Sequence, residues 1–219
     1  MVLESLGVGQ GSLGSHLDSL NYSVRLSHYG VSEAGDGMLM KSHRDPTVLS
    51  VVVQHDVEGL EVQAQDGSWL AGAPQPDTVA VIAGELLAVS AHAGAVNRST
   101  TANGKSYPSL SAMISTPSLK VHLWIKGSQI LAQRCRPAAA PSLTLPPWAP
   151  SRRERLSAQF VSVPKDGFTV QPLDELVDAD HPPRYNPCDF DGYVQFRYAG
   201  EGRKLSDPLE AFCGVAKGP

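Results

Sequence analysis

The sequence is poor in cysteine, in charge and in long apolar runs. Its 219 residues include three cysteines, Cys135, Cys188 and Cys213. The odd number and wide spacing argue against a disulfide framework and for a reducing compartment. No two of them have the spacing of zinc ligands. Only 18% of residues are charged, and 22 Asp and Glu against 18 Lys and Arg leave a net charge of −4. There is accordingly no basic footprint for nucleic acid and no polybasic patch for a membrane surface. No stretch approaches the roughly 18 apolar residues of a membrane span. The opening MVLESLGVGQGSLGS lacks the apolar run of a secretory signal. The expectation is a cytoplasmic protein with no nucleic acid or membrane partner.

Acidic residues are missing from one long stretch: none occurs between Glu85 and Glu154. Residues 97–150 are rich in Ser, Pro and Ala and carry little clean periodicity. Loops of this length are uncommon inside a compact domain. The stretch is read as an irregular, disordered insert in a single domain spanning 1–219.

What is present has the texture of strands and turns, with 20 glycines and 17 prolines. Val2, Leu3 and Leu6 suggest a short helix that the glycines at 7, 9, 11 and 14 end, with a further turn over His16–Leu20. Tyr22–Tyr29 alternates apolar and polar residues as a half-buried strand does. Val48–Val53 and 78–87 read as buried strands, and 58–64 with 68–71 flank Asp66-Gly67 as a hairpin. Leu156–Val163 is a further strand, Leu173–Val177 a short helix or turn, and Asp207–Phe212 a helix closed by Gly214. Many short strands at close spacing point to a sandwich or barrel.

Two small motifs carry chemistry. In His43-Arg-Asp45 an imidazole and a carboxylate stand two apart, so on a strand edge both point to one side and can reach one metal. A surface turn beginning at Asp45-Pro46 is the plainer reading of that motif alone. In Arg155-Leu-Ser157 a guanidinium fork and a hydroxyl on one strand face suit a carboxylate. With Arg152 and Arg153 beside it, an exposed arginine is the plainer reading here too.

Taken together, His43-Arg-Asp-Pro-Thr-Val-Leu-Ser-Val-Val-Val-Gln54, Val57-Glu-Gly-Leu-Glu-Val-Gln63, Asp66-Gly-Ser-Trp69 and Ala83-Gly-Glu-Leu86 resemble the catalytic domain of plant iron(II)/2-oxoglutarate-dependent dioxygenases. The tail Glu175–Pro187, followed by Tyr193 and Phe196, also looks like that family, and the flavour is nearest the gibberellin oxidase and AOP-like branch. The resemblance covers roughly 17–96 and 151–217. It implies a mainly β, double-stranded β-helix (jelly-roll) fold with a few flanking helices. It also implies Fe(II) on His43 and Asp45, and 2-oxoglutarate with its far carboxylate on Arg155 and Ser157. Tyr29 matches the tyrosine of the family's N-x-Y motif, with Ser27 at the Asn position, and is implied to touch 2-oxoglutarate. The implied reaction hydroxylates or desaturates a small plant metabolite with molecular oxygen. It decarboxylates 2-oxoglutarate to succinate, with ascorbate as an auxiliary reductant.

One iron ligand is out of place. The family's second histidine lies about ten residues before the RxS arginine in an H-R-V type run, and counting back from Arg155 lands on Leu145. Counting about fifty forward from Asp45 lands near Asn97. The two counts disagree by about 45 residues, close to the length of the irregular segment 97–150. Roughly 97–144 is therefore read as an insertion, of retained-intron or mis-joined origin, that displaces or replaces the ligand. His92 and His122 remain candidates for it, and His181 is read as structural. The N-terminal portion usual in the family is expected to be missing. The rival to an active enzyme is an inactive remnant that only binds, and a metal-only cupin is a more distant third.

Overall fold

The computed structural model describes residues 2–5, 7–30, 40–63, 68–74, 76, 78–91, 154–179 and 182–214. It also describes the backbone of three strands between 112 and 135. In chain order come helices α1 (Val2–Ser5) and α2 (Gln10–Asp18), then strands β1 (Leu20–Tyr29), β2 (Met40–His43), β3 (Leu49–Val53), β4 (Leu60–Gln63), β5 (Trp69–Gly72) and β6 (Thr78–Ala83). Helix α3 (Leu87–Ser90) follows, then β7 (Ala112–Thr116), β8 (Leu119–Trp124), β9 (Gln133–Cys135), β10 (Arg155–Pro164) and β11 (Thr169–Val170). A 3-10 turn at Asp174–Leu176, β12 (Cys188–Asp189), α4 (Phe190–Ala199), a second 3-10 turn at Glu201–Lys204 and α5 (Pro208–Cys213) complete the chain. Strands β7, β8 and β9 fall inside the acid-free stretch.

The strands form a larger sheet, β1-β10-β3-β6-β8-β7, a smaller one, β2-β9-β4-β5, and a two-stranded β11-β12 ribbon. This is the jelly roll, mainly β with helices at its flank. Val52, Ala80 and Ile82 of the larger sheet and Leu60 and Val62 of the smaller are buried together as one apolar cluster. Val62 and Leu60 alternate with the half-buried Glu61 and Gln63, as period 2 requires. Leu20, Val48, Leu86, Leu87, Tyr193 and Leu209 belong to the second cluster, which the helices share. The hairpin expected around Asp66-Gly67 is seen in its two arms, β4 and β5, paired from Leu60↔Gly72 to Gln63↔Trp69. Residues 64–67 lie outside the described residues.

Two expectations are corrected. Helix α2 begins at Gln10 and runs through Gly11 and Gly14, where glycines were expected to break it. Leu13 packs on the core and Ser19 closes the helix with its backbone N–H on carbonyls of the last turn. These contacts offset glycine's helix cost of about 1 kcal/mol per residue. Strand β1 does alternate, but the apolar side is the bare one: Val24 is 65% and Leu26 80% exposed. The face carrying Ser27 and Tyr29 lies across from Ser157 and the buried Arg155 instead. The site therefore claims the polar face of β1. Helix α5 ends at Gly214, whose φ of 68° lies in the left-handed region that glycine adopts freely. Asp207 caps its start by accepting from Glu210 N at 3.0 Å. Among the described residues no helix is long and apolar enough to cross a membrane.

Candidate functional site: a histidine–aspartate pair beside a buried arginine

His43 is the last residue of β2, and the chain turns at Arg44 to place Asp45 under the larger sheet. Three backbone bonds hold that turn. Glu85 N donates to Asp45 O at 2.8 Å, Leu86 N to Thr47 O at 3.1 Å and Gly84 N to Val48 O at 3.0 Å. Gly84 is needed here because a Cβ would overlap the Thr47 carbonyl. The Gly-Glu-Leu run noted in the sequence thus acts as a backbone clasp on the His43-x-Asp45 segment.

The two side chains face each other, His43 Nε2 lying 3.5 Å from Asp45 Oδ1. Two donors about 2.1 Å from one ion, a usual length for imidazole and carboxylate, would stand that far apart at an angle of roughly 110°. His43 Nδ1 is 2.8 Å from the Lys41 carbonyl, which can only accept, so Nδ1 carries a proton and Nε2 is the ring nitrogen turned to Asp45. Asp45 Oδ2 accepts from Ser50 Oγ at 2.6 Å and from Gln159 Nε2 at 3.0 Å. Those bonds fix the carboxylate so that Oδ1 meets the imidazole, the orienting role outer groups play around a metal. Burial draws the His43 imidazole down, but the hydrogen bonds to Asp45 and Lys41 and the Asp45 charge outweigh it and leave its pKa raised. The pair fits part of an iron site. Among the described residues no third His, Cys, Asp or Glu joins it.

Arg155 opens β10 and is only 1% exposed, so it is not the surface arginine that the run of arginines suggested. Its register partner across the sheet is Tyr29, and its guanidinium carbon lies 4.9 Å from that ring's centroid. Nη2 donates to Gln54 Oε1 at 3.3 Å. Gln54 in turn accepts from Leu60 N at 3.0 Å and donates to the Gly72 carbonyl at 2.5 Å, tying the arginine to the smaller sheet. Ser157 pairs with Ser27 one step along the same face. Gln159, which reaches Asp45, stands two residues further on that face. Arg155, Ser157, Tyr29 and the Asp45 anchor therefore share one side of two adjacent strands.

His92 and His181 lie outside the described residues. His122 is on β8 of the larger sheet, in register with Ala80 and Met113. β8 lies two strands beyond β3, about 10 Å across the sheet. His43 stands in the smaller sheet.

Sequence reasoning missed a buried clamp behind the pair. Glu85 is fully buried, and its Oε2 accepts from Tyr193 OH at 2.5 Å and pairs with Arg197 Nη1 at 2.7 Å. Arg197 Nη2 donates to the Arg44 carbonyl at 2.7 Å, between His43 and Asp45. Burial pushes the Glu85 carboxyl up against the pull of Arg197 and Tyr193. Burial works against the Arg197 charge, yet attraction to Glu85 wins and its pKa is raised. A cleft of about 720 Å³ opens here, with His43, Gln63, Glu85 and Arg197 on its wall. The signal in the sequence was the Arg197 spacing of four from Tyr193, which puts both on one face of α4.

Residues 20–104 match the 2OG-Fe(II) oxygenase superfamily. The chain is 28% identical over 179 residues to the 2-oxoglutarate-dependent dioxygenase AOP3 of Arabidopsis thaliana, which covers 82% of this chain and 33% of that protein. It is 24% identical over 218 residues to the probable 2-oxoglutarate-dependent dioxygenase AOP1.2 of the same plant, covering 97% of this chain and 54% of that one. Among solved structures, JOX2 in complex with 2OG, Fe and JA superposes with a TM-score of 0.62 at 21% identity, covering 99% of this chain and 52% of that chain. The rice dioxygenase for auxin oxidation superposes at 0.61 with 23% identity, covering 96% and 55%. The chain spans between a third and about half the length of these relatives.

Proposed function

We propose that this chain of the 2OG-Fe(II) oxygenase superfamily, an oxidoreductase by lineage, holds Fe(II) on His43 and Asp45 and 2-oxoglutarate on Arg155, Ser157 and Tyr29. The observation that carries this reading is the single polar face of β1 and β10. It presents Arg155 at one end and, through Gln159, the Asp45 carboxylate at the other. Four residues along a strand is roughly 13 Å, room for a five-carbon diacid between the two side chains. When bound, iron and 2-oxoglutarate supply the oxygen chemistry and the decarboxylation to succinate. The chain's own residues do the rest. Ser50 and Gln159 fix the Asp45 carboxylate, the Lys41 carbonyl fixes the imidazole, and the buried Arg155 fork receives the far carboxylate in a dry setting where its charge counts most.

The substrate in this reading is a small apolar or acidic plant metabolite that is hydroxylated or desaturated with molecular oxygen, ascorbate keeping the iron reduced. The compartment is cytoplasmic. A second reading, an inactive member that only binds, is favoured by one observation. His43 and Asp45 gain no third His, Cys, Asp or Glu partner among the described residues. Incubation with Fe(II), ascorbate and 2-oxoglutarate in air, followed by succinate assay, separates the two. Succinate above an Asp45→Ala control is expected. Equal amounts in both would remove the active enzyme. Calorimetric binding of 2-oxoglutarate that still depends on Arg155 would then leave the binding protein.

A further inference from the structure

Strand β9 lies between β2 and β4, and both registers converge on one residue. Gln133 is the direct antiparallel partner of His43 on one side and of Val62 on the other. Val62 is 1% exposed and belongs to the cluster between the sheets. Position 133 therefore stands on the inward face, in line with His43, while Arg134 is in register with Glu61 on the other face. Directly opposed residues of an antiparallel pair have Cβ atoms about 4.5–5.5 Å apart. Register thus places position 133 next to His43 on the smaller sheet.

We infer that residue 133 is the third protein position of the iron site, so that the chain offers His43, Asp45 and a carboxamide where two imidazoles and one carboxylate are the usual set. The inference rests on the proposed role of His43 and Asp45. A carboxamide oxygen is neutral and harder than imidazole nitrogen, and a first-row metal in this site is held more weakly by it. The chain as it stands is then a weak metal binder, one substitution from a complete facial triad.

The test is anaerobic Co(II) titration, followed by visible absorption and by calorimetry, on the full chain and its variants. Gln133→His is expected to tighten Co(II) binding about tenfold or more, and to strengthen the visible bands as a nitrogen donor enters. Adding His43→Ala to it should abolish the gain. Gln133→Glu, a smaller change in shape, should also tighten binding and covers the case in which the histidine variant unfolds. Arg134→His, on the opposite face, should gain nothing, and His122→Ala should leave affinity unchanged. Weakening by His43→Ala with no gain from Gln133→His or Gln133→Glu would overturn the role of residue 133 and leave the proposed function standing. Insensitivity of the parent chain to His43→Ala would overturn both.

Discussion

Arg197→Met tests the clamp behind the histidine–aspartate pair. The guanidinium is 12% exposed and makes two 2.7 Å contacts, to the Glu85 carboxylate and the Arg44 carbonyl. Removing one partner of a buried ion pair costs about 3–5 kcal/mol, because the other charge is left in a medium that cannot solvate it. Burial already raises the Glu85 pKa, so in the variant that carboxyl is free to take up a proton. This keeps the cost near the lower end, about 3 kcal/mol. For a chain of this size each kcal/mol shifts the melting temperature by about 2–4 °C, which gives a fall of roughly 6–12 °C. Thermal and urea unfolding followed by circular dichroism would measure it. Glu85→Gln with Arg197→Met should cost less than the sum of the two single changes by about 1 kcal/mol or more. A variant melting within 2 °C of the parent, or strictly additive costs, would refute the clamp and make Arg197 an ordinary surface cation.

Three further outcomes are expected. Ser50→Ala removes the 2.6 Å bond that orients Asp45 and should weaken Co(II) binding about tenfold with little change in secondary structure; unchanged affinity would count against that orienting role. His16, in α2, has Nε2 enclosed without a hydrogen-bond partner, and burial lowers its pKa. The unfolded chain therefore takes up the proton first as pH falls. The stability His16 contributes is present above about 6.5 and is lost as pH drops below it, so the urea midpoint of the parent should fall between pH 8 and 5.5 more than that of His16→Gln. Leu26→Lys, in the middle of the bare apolar face of β1, should reduce concentration-dependent light scattering while moving stability by no more than about 0.5 kcal/mol.

The strands were legible because their signal is local. Alternation over β1 and the apolar runs of β3 and β6 follow from period 2, and Asp207, Pro208 and Gly214 mark the ends of α5 by capping chemistry. The direction of β1 was not legible, since alternation does not say which side meets the core. His43 with Asp45, and Arg155 with Ser157, stood out as charged pairs at a spacing of two. Gln54 and Gln159 did not, because an uncharged amide gives no signal until the fold brings it, 101 and 114 residues away, to Arg155 and Asp45. Position 133 escaped counting for a related reason. Counting assumes a fixed length between strands, whereas register depends only on which backbones pair. Gln133-Arg134 has the arginine of the H-R-V run but stands 22 residues before Arg155, where about ten were expected.

The pairing of β1 with β10 also sets how the chain comes together. Leu20 opposes Pro164 and Tyr29 opposes Arg155, so the sheet is closed by strands that leave the ribosome far apart in time. At roughly 5–20 residues per second, β10 emerges about 6–25 s after β1 is complete. During that interval β1 and one edge of β3 carry unpaired backbone groups, the condition under which strands find the wrong partner. Lengthening the chain between β6 and β10 adds only about 0.6 kcal/mol of closure entropy per doubling. Its larger effect is to prolong the wait. A long segment in this place is therefore cheap for the finished fold and expensive for the newborn one, and dependence on chaperones during synthesis should grow with its length.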